Sequence, residues 1–263
     1  MGLSPELRAT EVAALTAGLE RGLTLIDTAE AYGHGEAERI VGEAIRGQRD
    51  AVFLTTKVRP QNATRDGVVQ SLEGSLQRLG TDAVDLYLLH WPSKEHPLEE
   101  TLAGLQDCMK RGLTRYIGVS NFPTPLLDEA RKLRFEHLYT DQVEYSLLER
   151  RAEISLIPYA REHNMTLMAY SPLRTLVESA LPKPAEATLA EVAERHGVSA
   201  AVIALAWVLR PEAEPMVAIP KTIRVEHLDE NLRALECRLT PEDLHALDGA
   251  FPAPTDDIPL RRL

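Results

Sequence analysis

Short apolar runs alternate with amphipathic stretches along the whole of this 263-residue chain, and that alternation constrains the fold more than any other feature. The runs are Leu23 to Asp27, Val52 to Lys57, Val84 to His90, Tyr116 to Val119, Leu138 to Gln142, Thr166 to Tyr170 and Met216 to Ile219. Each reads as a buried parallel strand. The stretches between them read as helices. Arg65 to Leu79 places Val68, Val69, Leu72, Leu76 and Leu79 at helical spacing, and Ala200 to Leu209 does the same with Val202, Ile203, Leu205, Ala206 and Leu209. Strand starts recur roughly every 25 to 35 residues, the period of the βαβ unit, which points to a closed barrel or a doubly wound sheet. No linker or low-complexity segment interrupts the pattern, so residues 1–263 read as a single domain; barrels of about 250 residues routinely form one domain.

Two regions depart from the regular repeat. Between Ser171 and Met216 an additional helix, Thr188 to His196, precedes the expected one, with Pro182 and Pro184 making the loop before it irregular. At the ends, Ser4-Pro5-Glu6 and Thr240-Pro241-Glu242-Asp243 each set a hydroxyl before a proline and an acidic first turn, the chemistry of a helix start. The chain is therefore expected to open directly into a helix. Seven strands can be counted where a barrel needs eight, and the shortfall lies before Ser4.

Composition narrows the function. A hydrophobic fraction of 44% and a charged fraction of 26% are ordinary for a soluble globular protein, and a net charge of -11 argues against nucleic acid or an anionic membrane as partner. Any phosphate ligand must then be met by local basic residues. Cys108 and Cys237 stand far apart without metal-ligand spacing and read as packed free thiols. The N-terminus has no basic segment followed by an apolar one, and no stretch approaches the roughly 18 apolar residues of a membrane span, so the expected location is cytoplasmic.

In a barrel the active site lies at the C-terminal ends of the strands. Asp27 ends LTLID, Lys57 ends FLTTK and His90 ends DLYLLH, with Tyr32 in the loop after the first of them. Singly, each has a plain structural reading as a cap, a solvated loop charge or a core imidazole. Together they match carbonyl reduction, because hydride attack builds negative charge on the carbonyl oxygen that must be met by a proton and by aimed donors. A tyrosine can supply both. Its ordinary pKa of about 10 is too high for the task, and an adjacent ammonium lowers it. Lys57 is expected to do so, held by Asp27, while His90 orients the substrate carbonyl.

These residues sit in motifs that resemble the aldo-keto reductases over nearly the whole length, in particular bacterial members of the diketogluconate and methylglyoxal reductase kind. LIDTAEAYGHGE resembles the segment carrying that family's Asp and catalytic Tyr, TTKV its Lys and LLHWP its His, in the family's order. GVSNF, DQVEYS, AYSPL and AIPKT resemble its cofactor-binding strand ends. The resemblance implies a (β/α)8 TIM barrel and NADPH as cofactor, with NADH as the other candidate. Carried over by position, Ser120, Asn121 and Gln142 would bond the nicotinamide amide and Tyr170 would stack on its ring. Ser171 and Leu173 would line the pyrophosphate. Lys221 and Thr222 would meet the adenosine 2′-phosphate, and Glu230 and Asn231 would lie near the adenine. Where the family often has an Arg against that phosphate, this chain has His227, with Arg224 three residues earlier as a substitute. Trp91 suggests an apolar wall for a small aldehyde, α-keto aldehyde or sugar-derived carbonyl, and a monomer is the family's usual state.

Other enzyme classes fit less well. Gly33-His34-Gly35 is followed by Glu38 where a dinucleotide fingerprint needs its third Gly, the eight histidines form no H-x-H or H-E-x-x-H, and G-x-S-x-G is absent. A non-catalytic NADPH-binding barrel serving regulation or sensing would keep the cofactor residues, and the intact set Asp27, Tyr32, Lys57 and His90 argues against it. The resemblance also implies an N-terminal hairpin and a first barrel strand ahead of the first helix. Their absence here reads as a truncation that exposes the edges near Leu25 and Val217 and leaves an inactive reductase as a further alternative.

Overall fold

All seven apolar runs form strands and the stretches between them form helices in the computed structural model, which describes residues 2–133, 138–177, 181–257 and 259–260. The chain divides into two units, residues 1–141 and 142–263. The first unit runs α1 (Arg8–Glu20), β1 (Leu25–Asp27), α2 (Glu36–Ala44), β2 (Phe53–Val58), α3 (Arg65–Leu79), β3 (Val84–Leu89), α4 (Leu98–Lys110), β4 (Thr114–Ser120) and α5 (Thr124–Lys132), with β5 (Leu138–Glu144) crossing the boundary between units. β1 to β4 pair in chain order and in parallel, with Leu25 opposite Phe53, Lys57 opposite Leu88 and Leu88 opposite Gly118.

Parallel pairing follows from the residues. Every residue of β3 is buried, so both of its faces are covered, as strands joined by helical crossovers require. Residues Arg65 to Leu79 form α3 within the bounds their spacing predicts, with Val68, Leu72, Leu76 and Leu79 buried. Thr64 caps its start by accepting the Gly67 N–H at 3.1 Å, and Gly80 ends it in the left-handed region. Gly118 allows a close approach, since a side-chain carbon there would lie 2.6 Å from the Thr140 carbonyl oxygen.

The second unit holds α6 (Leu156–Glu162), β6 (Thr166–Tyr170), α7 (Arg174–Val177), α8 (Lys183–His196), α9 (Ala200–Val208), β7 (Met216–Ala218), α10 (Val225–Glu236) and α11 (Pro241–Ala250). β6 and β7 are parallel, Ala169 facing Ala218. α9 is apolar on every side and buried from Val202 to Val208. Its Trp207 stacks on Tyr145, with the Arg210 guanidinium 3.7 Å from the indole centroid and hydrogen-bonded to the Tyr145 hydroxyl at 2.9 Å.

Several expectations need correction. Ser4 makes no side-chain cap: Pro5–Leu7 is a 3-10 turn in which Leu7 N–H donates to the Ser4 carbonyl at 3.0 Å, and α1 starts only at Arg8. The additional helix begins at Lys183 rather than Thr188, because Pro184 falls in its first turn, where no N–H is needed. α7 is a short helix that the pattern did not indicate. The runs ending at Asp27 and Ile219 give strands of only three residues, β1 and β7, which are less buried than the others. The start at Thr240 is as expected, a full capping box with Asp243. Cys108 and Cys237 are free thiols. Among the described residues α1 precedes β1 with no strand before it, and no helix is long and apolar enough to cross a membrane.

Candidate active site

The register of the first unit sets the site. Asp27 ends β1 opposite Thr55, so Lys57 lies two residues farther along β2 and must reach back to it. His90 follows β3 directly, its N–H donating to the Val58 carbonyl at 2.9 Å. Neighbouring residues of β2 face opposite sides. Thr56 Oγ1 donates to Glu38 Oε1 at 2.6 Å toward α2, and the same carboxylate accepts from Arg78 Nε of α3 at 2.5 Å. Lys57 faces the other way.

Lys57 is fully buried, and a buried ammonium must be paired and hydrogen-bonded. Its Nζ donates to Asp27 Oδ2 at 2.6 Å, to the Thr28 carbonyl at 2.8 Å and to Tyr32 Oη at 3.4 Å, which occupies all three of its donors. Tyr32 Oη lies 3.5 Å from His90 Nε2, and the two rings meet edge-on at 5.4 Å. The structure therefore brings together the four residues that the strand ends nominate. Gly33, His34 and Gly35, all with positive φ, turn the chain from Tyr32 into α2.

The electrostatics correct one expectation. The Tyr32 phenol is held above its ordinary pKa rather than below it, because burial outweighs the pull of Lys57 and the Asp27 charge works against that pull as well. The phenol therefore keeps its proton at neutral pH. His90 is pushed down to about 3 by burial and by the charges of Lys57 and Arg59, so its imidazole is neutral and can donate one hydrogen bond.

Sequence reasoning missed the brace around this set. Glu30 Oε1 accepts the Arg59 N–H at 2.7 Å and Asn62 Nδ2 at 3.0 Å, and Arg59 Nη2 reaches the carbonyls of Glu30 and Ala31, both at 3.4 Å. The chain just before Tyr32 is thus tied to the chain just after Lys57. The available signal was the position of Arg59, two residues past a strand-end lysine.

The expected cofactor residues fall in both units. At the end of β4, Ser120 and Asn121 are buried, and Asn121 takes a positive φ of 64°. Its Nδ2 donates to Ser120 Oγ at 2.9 Å and to the His90 carbonyl at 3.4 Å, which sets this pair beside the four residues. Trp91, next in the chain after His90, is half-buried. In the second unit Gln142 is buried, with Nε2 4.0 Å from Met168 Sδ. Tyr170 ends β6 half-buried, Ser171 is exposed with φ 50°, and Leu173 packs on the cluster of Val202, Leu205 and Ala234. Lys221 and Arg224 are exposed cations just before α10. Thr222 Oγ1 accepts the Arg224 N–H at 3.0 Å and lies 3.4 Å from His227 Nδ1, while Glu230 and Asn231 follow about one turn along α10. Taken unit by unit, the chemistry fits parts of a nicotinamide dinucleotide phosphate: in the first unit a hydroxyl and a carboxamide suit an amide, and in the second unit a carboxamide suits an amide and cations before a helix N-terminus suit a phosphate.

A family model described as the aldo/keto reductase family matches residues 7–251. Methylglyoxal reductase YeaE of Escherichia coli (strain K12) is 43% identical over 257 residues, covering 97% of this chain and 89% of that protein. The crystal structure of an aldo/keto reductase from Klebsiella pneumoniae in complex with NADP and acetate superposes with a TM-score of 0.94 at 39% identity, covering 100% of this chain and 92% of its own. A thermostable aldo-keto reductase, Tm1743, in complex with the inhibitor epalrestat gives a TM-score of 0.88 at 43% identity, covering 94% and 89%. The fold is accordingly of the (β/α)8 type that the family resemblance implies, and the chain belongs to the aldo/keto reductase family.

Proposed function

We propose that this chain reduces the carbonyl of small aldehydes and dicarbonyls of the methylglyoxal kind to alcohols, with Tyr32 as proton donor and NADPH as reductant. NADPH-dependent carbonyl reduction is the activity of the family to which it belongs, with NADP-bound structures among its neighbours. The observation that carries the assignment to these residues is the single cluster in which Lys57 Nζ touches both Asp27 and Tyr32 Oη while His90 Nε2 stands 3.5 Å from the same phenol.

When bound, the cofactor supplies hydride to the carbonyl carbon. The residues of this chain handle the oxygen. Neutral His90 aims a donor at the carbonyl oxygen and fixes its direction, and Tyr32 Oη, protonated at neutral pH, transfers its proton as negative charge develops there. The phenolate left behind lies 3.4 Å from the Lys57 ammonium, which is where its charge is met, and solvent returns the proton. Asp27 and the Thr28 carbonyl keep that ammonium in place. Ser120, Asn121, Gln142 and Tyr170 would hold the nicotinamide. Ser171 and Leu173 would line the pyrophosphate. Lys221, Thr222, Arg224 and His227 would hold the 2′-phosphate, and Glu230 and Asn231 the adenine. Trp91 would wall the carbonyl site, and the protein acts as a monomer in the cytoplasm.

The test follows NADPH oxidation with methylglyoxal and with an aromatic aldehyde, comparing the wild type with Tyr32→Phe. A loss of roughly a hundredfold or more in kcat, with NADPH affinity retained, is expected when a general acid is removed. Undiminished turnover in Tyr32→Phe would reject the phenol as proton donor, and a wild type that binds NADPH without turnover would favour a sensing role.

A further inference from the structure

A buried carboxyl that the mechanism leaves unused faces the turn at the end of β4. Asp141, in β5, is fully buried. Its Oδ1 accepts the N–H of Phe122 at 3.4 Å, the carboxyl also accepts the N–H of Asn121, and Oδ2 has no partner among the described residues. No cation pairs with it among them either, and burial raises its pKa well above the usual carboxylate range. The reason for a polar group here lies in the turn it faces. Asn121 has φ 64°, and a left-handed residue at a strand end turns successive N–H groups to one side, where they need an acceptor if buried.

That turn carries the side chains of Ser120 and Asn121, with Asn121 Nδ2 bonded to Ser120 Oγ and to the His90 carbonyl. We propose that Asp141 is a positioning residue for cofactor binding: by accepting the Asn121 and Phe122 amides it fixes the turn that presents Ser120 and Asn121 to the nicotinamide carboxamide and ties them to the His90 strand end. This rests on the reading of Ser120 and Asn121 as carboxamide ligands. The adjacent Gln142 occupies the next position of the same strand, so the acceptor is set by the element that carries a third expected ligand.

The test measures NADPH dissociation constants by fluorescence titration, and kcat at saturating NADPH, for Asp141→Asn, Asp141→Leu, Asn121→Ala and the double variant Asp141→Leu/Asn121→Ala. Asn keeps an acceptor of the same shape and should stay within about twofold of wild type, whereas Leu should raise Kd about tenfold or more and change kcat less than about threefold. Because the effect runs through Asn121, adding Asp141→Leu to Asn121→Ala should cost less than about a further twofold. Multiplying effects in the double variant would overturn the proposal, as would an unchanged Kd in a folded Asp141→Leu. A raised Kd in Asp141→Leu with Asn121→Ala unaffected rejects the route through Asn121, and no change in either rejects the carboxamide assignment with it. If the Leu variant does not fold, Asp141→Ser, whose hydroxyl falls short of the amides, takes its place in the same comparison.

Discussion

Replacing Lys57 by Met tests whether the centre of the site is held by its buried charge. Methionine is close to lysine in length and shape, so packing changes little while three contacts disappear: those to Asp27 at 2.6 Å, to the Thr28 carbonyl at 2.8 Å and to Tyr32 at 3.4 Å. What remains is an Asp27 carboxylate, its side chain only 10% exposed, without the cation facing it. Removing one partner of a buried ion pair typically costs about 3–5 kcal/mol, because the other charge is left uncompensated. At this chain length that corresponds to a fall in Tm of roughly 6–20 °C. Urea and thermal unfolding at neutral pH measure it. The double variant Lys57→Met/Asp27→Asn removes the stranded charge and should recover about 1–3 kcal/mol of the loss. A single variant that loses less than about 1 kcal/mol, or a double variant no more stable than the single, would refute the argument that the pair is a desolvated unit.

Other outcomes follow from the same physics. His90, held at about 3, should stay neutral through the physiological range in an NMR titration; since its folded pKa lies below the unfolded value, its contribution to stability is complete above about pH 6.5 and is lost as pH falls toward 3. Arg59→Gln removes one of the charges disfavouring its protonation and should move that titration upward, and a wild-type midpoint near 6.5 would contradict the burial reading. Asp243, held below the usual carboxylate range by His196, Arg195 and the Thr240 cap, contributes stability above the unfolded carboxyl pKa that is lost as pH falls; Asp243→Ala should cost about 1–3 kcal/mol in urea unfolding at pH 7 and less in acid. Gly118→Val should destabilise by several kcal/mol, on the order of other overpacked sites, because the added carbons meet the Thr140 carbonyl, and a variant of wild-type stability would show that the strands can part.

The chain's own pattern determined the repeat of parallel strands and helices, because burial on both faces of a strand and on one stripe of a helix writes a period into the residues themselves. It also nominated Asp27, Lys57 and His90, since the end of an apolar run marks the end of a strand. Helix starts were less legible. The signature at Thr240 gave a capping box and the similar one at Ser4 a 3-10 turn: Asp243 stands three residues after Thr240 and accepts its N–H, whereas Leu7 holds that place after Ser4 and has no side-chain acceptor. The direction of the Tyr32 shift was decided by tertiary structure alone: adjacency to Lys57 predicts a lowered pKa, and only burial in three dimensions reverses it. The same holds for the Glu30–Arg59 brace and for Asp141, whose partners lie 29 residues and about 20 residues away along the chain. Periodicity reports which face of an element is buried. It does not report how far a polar atom on that face lies from one on another element, and desolvation and hydrogen bonding depend on that distance.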